Sequence, residues 1–188
     1  MKTFIRRSLL VTFMLGTLIS YATENNETKV KVELTNVKEG QNWSIKNSRG
    51  NVIHKEEIKR NGSFTRDFNF TSLKNGYYTI EVNKDFQIDI VPFTIVSGKV
   101  TFYKNAEKTI FKPIFRAEEN KIMISKLDFE SSSLRVTIYF EGAVIFKDVI
   151  QAKEEKLKRI YKLREDKKGD YKVVMKANDR TYINEFSL

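Results

Sequence analysis

One histidine and a scatter of carboxylates are this chain's main resources for chemistry. His54 stands in VIHKEEI, beside Glu56 and Glu57. On a strand, His54 and Glu56 share a face and could touch one ion, because side chains two apart point the same way. Two ligands fall short of the four that hold a structural metal. A similar segment further along the chain has Phe146 at the position of His54. A packing or surface role is therefore expected for His54, with no metal and no cofactor. Adjacent acids at Glu118–Glu119 and Glu154–Glu155 are the nearest approach to the paired carboxylates of glycoside hydrolysis. Strand neighbours face opposite sides, so both pairs read as charged surface turns. Ser44, Ser48 and Ser63 read as ordinary strand or turn serines. The chain has no cysteine for thiol chemistry, and its eight glycines are dispersed rather than gathered into a phosphate loop. No catalytic residue is assigned, and a non-enzymatic protein is expected.

Binding offers more. Trp43, the only tryptophan, opens an apparent strand. Core packing is its first expectation, and an aromatic platform is the functional alternative. Tyr77 precedes the core-facing Tyr78, and Tyr139 follows the core-facing Ile138, so both rings should point outward. Trp43, Tyr77 and Tyr139 are the candidates for ligand or partner contact.

The elements that would position them are short strands, and they come twice. KVKVELTNV (Lys29 to Val37) resembles KIMISKLDF (Lys121 to Phe129). NWSIKNSRGNVIHKEEI (Asn42 to Ile58) resembles RVTIYFEGAVIFKDVI (Arg135 to Ile150). SLKNGYYTIEV (Ser72 to Val82) resembles EDKKGDYKVVM (Glu165 to Met175). Lys29 thus corresponds to Lys121 and Asn42 to Arg135, an offset of 92 to 93 residues. An internal duplication is expected. It also settles residues 153–168, where Leu157, Ile160, Tyr161 and Arg164 would suit one side of a helix. Their counterparts Phe64, Phe68 and Phe70 alternate in an aromatic run that opens Asn61-Gly62-Ser63. Leu157, Tyr161 and Leu163 keep the same period of two, so a strand is expected.

Alternating strands with Gly, Asn and Asp turns about every ten residues predict an all-β chain of tandem immunoglobulin-like β-sandwiches. The first sandwich is placed at residues 29–103 and the second at 109–188, with Lys104 to Lys108 between them. The strand KTIFKPIF (Lys108 to Phe115) has no counterpart in the first copy and could complete either unit or bridge both. Pro92 and Pro113 lack an amide donor, so an edge strand or a bulge is expected at each.

The Gly-x-Tyr strands GYYTIEV and GDYKVVM, each after a polar turn, resemble the DUF3244-type exported β-sandwich proteins of Bacteroidota. They are also similar to the C-terminal sorting domains of the type IX secretion system, where Leu-x-x-Gly-x-Tyr precedes a closing hairpin. Leu73, Gly76 and Tyr78 carry that arrangement in the first copy. The second keeps Gly169 and Tyr171 but has Asp166 in place of leucine. The resemblance implies an immunoglobulin-like module of an exported protein and assigns no catalytic residue.

The N-terminus supports export. Lys2, Arg6 and Arg7 precede the apolar run Ser8 to Ser20, and Ser20-Tyr21-Ala22 fits a signal-peptidase site. Residues 1–22 are expected to be a signal peptide, too short in its apolar part to span a bilayer. No later run is long and apolar enough to span, so no transmembrane segment is expected after cleavage. Export without cysteine points to the periplasm, the medium or the cell surface of a Gram-negative bacterium. The formal charge of +10 is spread among acids, and its densest stretch, Lys153 to Lys168, reads as a solvated face rather than a nucleic-acid site. The sequence thus predicts a non-enzymatic exported binding or structural protein whose partner is another envelope or surface protein. A carbohydrate-binding or adhesion module using exposed aromatics is the alternative.

Overall fold

The computed structural model describes residues 29–130, 132–177 and 179–188. The expected signal peptide, residues 1–22, lies outside them. The first part of the chain forms β1 (Lys29–Val37), β2 (Asn42–Asn47), β3 (Val52–Glu57), β4 (Gly62–Asn69), β5 (Gly76–Asn83), β6 (Gln87–Val96), β7 (Lys99–Phe102) and β8 (Lys108–Phe111). The rest forms β9 (Ile114–Glu118), β10 (Lys121–Leu127), β11 (Ser133–Phe140), β12 (Ala143–Gln151), β13 (Lys156–Lys162), β14 (Asp170–Ala177) and β15 (Arg180–Ser187). The two-residue alternation of apolar side chains yields strands throughout, including at 156–162. There Leu157 and Tyr161 are buried while Lys158 and Lys162 are exposed.

Each part stacks two antiparallel sheets. In the first, β1–β4 faces β3–β2–β5–β6–β7, and in the second, β13–β10–β9 faces β12–β11–β14–β15. The chain is therefore all-β, in two tandem immunoglobulin-like sandwiches. Each has its own core. Trp43, Ile45, Phe70, Ile80 and Phe93 centre the first. Ile122, Leu134, Ile138, Leu157 and Val173 centre the second. Corresponding contacts recur in both. Tyr78 stacks on Phe93 at 5.4 Å between ring centres, and Tyr171 on Phe186 at 5.3 Å. The Tyr78 hydroxyl donates to the Lys74 carbonyl at 2.8 Å, and the Tyr171 hydroxyl to the Lys167 carbonyl at 3.0 Å. Each is a tyrosine corner, which ties the turn before a central strand back onto that strand.

The run KTIFKPIF is not one strand. β8 pairs with β6 in the first sandwich, and β9 pairs with β10 in the second. The break falls at Lys112-Pro113, where proline lacks a donor for either ladder. Thr109, the expected start of the second unit, pairs with Asp89 of β6. Pro92 also departs from expectation. Its strand, β6, has β5 on one side and both β7 and β8 on the other. The proline falls at the join between β7 and β8 rather than on a free edge.

Candidate functional site

The residues with chemical potential are mostly committed to packing. The His54 ring lies 5.0 Å from the rings of both Trp43 and Phe68. Its Nε2 is 3.5 Å from Glu56 Oε2, which Arg66 Nε approaches at 3.2 Å. The second sandwich repeats this arrangement without the imidazole. Phe146 meets Tyr161 edge to face at 5.5 Å. Arg159 Nε lies 3.1 Å from Asp148 Oδ2, and the Tyr161 hydroxyl donates to the same oxygen at 3.0 Å. Burial and then the Asp148 carboxylate push the Tyr161 hydroxyl well above its usual pKa. An arginine–carboxylate pair thus staples the facing sheet edges, β3 to β4 and β12 to β13. Among the described residues, no group of three or more His, Asp or Glu side chains is placed to hold a metal ion. Glu154 and Glu155 sit in a tight turn with φ of +51° and +61°, between the bridged Lys153 and Lys156. Glu119 shares another such turn with Asn120.

The three aromatic candidates do not form a platform. Trp43 is fully buried in the first core, so it presents no surface to a ligand. Tyr77 is 48% exposed on β5 of the first sandwich. Tyr139 lies half-buried on β11 of the second, with Lys172 Nζ 4.9 Å from its ring centre.

Between the sandwiches lies a polar cleft of about 450 Å3, lined in part by Ser44, Lys55, Asn83 and Lys112. At its floor the buried Glu81 carboxylate accepts from Lys46 Nζ and Arg180 Nη2, both at 2.7 Å. Burial alone would raise the Glu81 pKa, but the hydrogen bonds from Arg180 and Lys46 outweigh it and hold the carboxyl below its ordinary range. Since Arg180 belongs to β15, this contact links the two sandwiches.

The apolar site is elsewhere. β12 and β13 are edge strands of opposed sheets in the second sandwich. On the Gly142 side of the Asp148–Arg159 staple, a groove of about 560 Å3 opens between them. Ile138, Phe140, Ile145, Phe146, Ile160 and Tyr161 line it, and Lys162, Arg164 and Lys167 contribute positive charge. The exposure is unusual for such side chains: Ile145 and Phe146 are each 48% exposed, and Ile160 is 66% exposed. Val144 and Val149 of β12 add further exposed apolar surface. A clustered apolar surface, rather than a single exposed residue, marks a site of contact. A two-residue turn with positive φ at both Glu141 and Gly142 launches β12 beside the groove.

The first sandwich is an internal control. The positions of Phe140, Phe146 and Ile160 are held there by Asn47, His54 and Asp67, and those of Lys162 and Arg164 by Asn69 and Thr71. At those five positions one copy has polar side chains where the other is apolar and basic, while the exposed Val144 and Ile145 have exposed counterparts in Val52 and Ile53. Sequence reasoning missed Phe146 and Ile160. The available signals were the apolar run Ala143 to Phe146 and an isoleucine out of phase with Leu157 and Tyr161.

Residues 24–97 match the family described as the secretion system C-terminal sorting domain. This covers the first sandwich through β6 and fewer than half of the chain's residues. No curated protein matches the sequence. Solved structures similar to this chain include native alpha-2-macroglobulin from Escherichia coli, spanning domains MG0-NIE-MG1. It is 9% identical, with 84% of this chain and 58% of that one covered and a TM-score of 0.30. The BSP domain of a biofilm associated protein is 12% identical, with 87% and 27% covered and a TM-score of 0.28. A tetra-tandem repeat from the extending region of a large adhesion protein is 12% identical, with 90% and 73% covered and a TM-score of 0.30. The chain spans little more than half of the first and about a quarter of the second. It is an all-β protein of tandem immunoglobulin-like sandwiches, similar over residues 24–97 to a secretion system C-terminal sorting domain.

Proposed function

We propose that this chain is an exported, non-enzymatic protein that makes protein–protein contacts in the bacterial envelope or at the cell surface. Its contact surface is the groove between β12 and β13. The exposure of Ile145, Phe146 and Ile160 along two facing strand edges carries this reading. The similarity of residues 24–97 to a sorting domain and the signal-like N-terminus support export. Apolar side chains gain about 25 cal/mol per Å2 when a partner covers them, and the free strand edges offer backbone hydrogen bonds as well.

The test is site-specific photocrosslinking in the cells that make the protein. A benzophenone amino acid replaces Ile160 in one version and Asp67, the corresponding residue of the first sandwich, in another. A discrete protein adduct is expected from position 160, absent from position 67, and lost when Phe146→Asp is added. Equal adducts from both positions, or none from position 160, would remove the groove as the contact surface.

A further inference from the structure

Building on that reading, we propose that the groove takes an extended segment of alternating apolar and acidic residues, added as a strand along the free edge of β13. Three observations lead there.

The first is the backbone. β13 pairs with β10 along one side only. Its other edge borders the groove, which Ile160 to Lys162 line from the strand and Leu163 and Arg164 line from the residues just after it. At about 3.3 Å per residue, those five positions match a short strand. β12 is less receptive, because the Asp148 carboxylate accepts from the Val149 amide at 2.8 Å.

The second is charge. Lys162 has no carboxylate partner among the described residues, and Lys167 Nζ lies 5.8 Å from the centre of the Phe140 ring. Arg164 is already paired with Asp166, at 2.9 and 2.6 Å. β13 itself carries Lys156, Lys158, Arg159 and Lys162. A lysine-rich edge resists pairing with another strand of its own kind. The same charges attract an acidic strand and steer it into register.

The third is the internal control. Asp67, Asn69 and Thr71 stand in the first sandwich where Ile160, Lys162 and Arg164 stand in the second. Its corresponding edge offers neither the apolar anchor of Ile160 nor the cations of Lys162 and Arg164, and only Lys167 has a basic counterpart, Lys74. The recognition chemistry therefore belongs to the second copy's side chains and not to the fold.

Fluorescent peptides provide the test, with the full mature chain as receptor and anisotropy as the readout. The probe is Glu-Val-Glu-Phe-Glu-Val with blocked ends. The controls are the lysine-for-glutamate version, the block order Glu-Glu-Glu-Val-Phe-Val, and the probe N-methylated at alternate amides. The alternating acidic peptide is expected to bind tightest, and methylation of the pairing amides should abolish binding. Lys162→Ala with Lys167→Ala should weaken it about fivefold, as two rim charges would. Ile160→Asp should abolish it while leaving the thermal transition in place, since Ile160 is mostly exposed. Asp67→Ala should change nothing. Equal binding of the lysine peptide, unchanged binding after methylation, or no binding of the acidic probe would each overturn the proposal. If the adduct at position 160 persists in those cases, the groove remains a contact surface and only its strand-pairing chemistry is lost.

Discussion

Replacing Asp128 should destabilise the second sandwich more than any surface acid would. Ile122, Ile124 and Lys126 form the buried face of β10, so a lysine occupies a core position. Its Nζ lies 3.2 Å from Asp128 Oδ1, and both side chains are only 2% exposed. Ser132 Oγ donates to the second Asp128 oxygen at 2.8 Å. In the first sandwich, Leu34 and Asn36 hold the corresponding positions, and Leu34 is buried. Removing one member of a buried ion pair costs about 3–5 kcal/mol, because the other charge is left without a partner. Lysine's flexible stem lets its ammonium reach toward water, which favours the lower figure of about 3 kcal/mol. For a unit of this size, each kcal/mol moves the melting temperature by about 4–8 °C. Asp128→Ala should therefore lower it by roughly 12–24 °C. The double substitution Lys126→Leu with Asp128→Asn restores the first copy's pairing and should come within about 1 kcal/mol of the parent.

The two cores allow a direct assay of this prediction. Trp43, the only tryptophan, reports the first core alone, while circular dichroism reports both sandwiches. Urea unfolding of Asp128→Ala should advance the dichroism transition of the second sandwich and leave the tryptophan transition in place. The acid limb gives a second readout. Burial alone would raise the Asp128 pKa, but hydrogen bonds from Ser132 and Lys126 outweigh it and hold the carboxyl below its ordinary value. A carboxyl lowered on folding stabilises above its unfolded pKa, and that contribution is lost as pH falls through the folded value. Asp128→Asn should flatten that part of the stability curve. A loss below about 1 kcal/mol in Asp128→Ala, or a double variant as unstable as the single, would refute the reasoning.

Tyr78→Phe and Tyr171→Phe should each cost about 1 kcal/mol, the usual net value of one hydrogen bond. Only the former should shift the Trp43 fluorescence transition. Gly169→Ala should cost more than about 1 kcal/mol. Gly169 has a φ of +151°, and an added Cβ would lie 2.2 Å from Glu141 Oε1, which accepts from the Asp170 amide. Glu155→Gly should raise thermal stability by about 0.5–1 kcal/mol, because a β-carbon penalises its φ of +61°.

The sequence makes local pattern legible and leaves long-range juxtaposition obscure. Tyr78 and Tyr171 announced themselves by a glycine two residues earlier and an alternating strand after. Comparing Phe64 and Phe68 with Leu157 and Tyr161 decided a strand where helical periodicity also fitted. KTIFKPIF left open whether it completes either unit or bridges both, because both halves have strand character and only tertiary pairing divides them between two sheets. Lys126 reads as one more surface charge until its inward register on β10 is known. The groove was least visible of all. Phe146 and Ile160 lie on strands that do not pair with each other, and their proximity depends on how two opposed sheets meet.

The passage from β8 to β9 has a mechanical consequence. Only Lys112 and Pro113 separate a strand laced into one sandwich from a strand laced into the next. A pull transmitted through those two residues runs along both strand axes. It loads the four residue pairs of β8 with β6 and the five of β9 with β10 side by side, in shear. Tension crossing the junction meets those ladders as collective clamps, while the edges of β12 and β13 lie off that line.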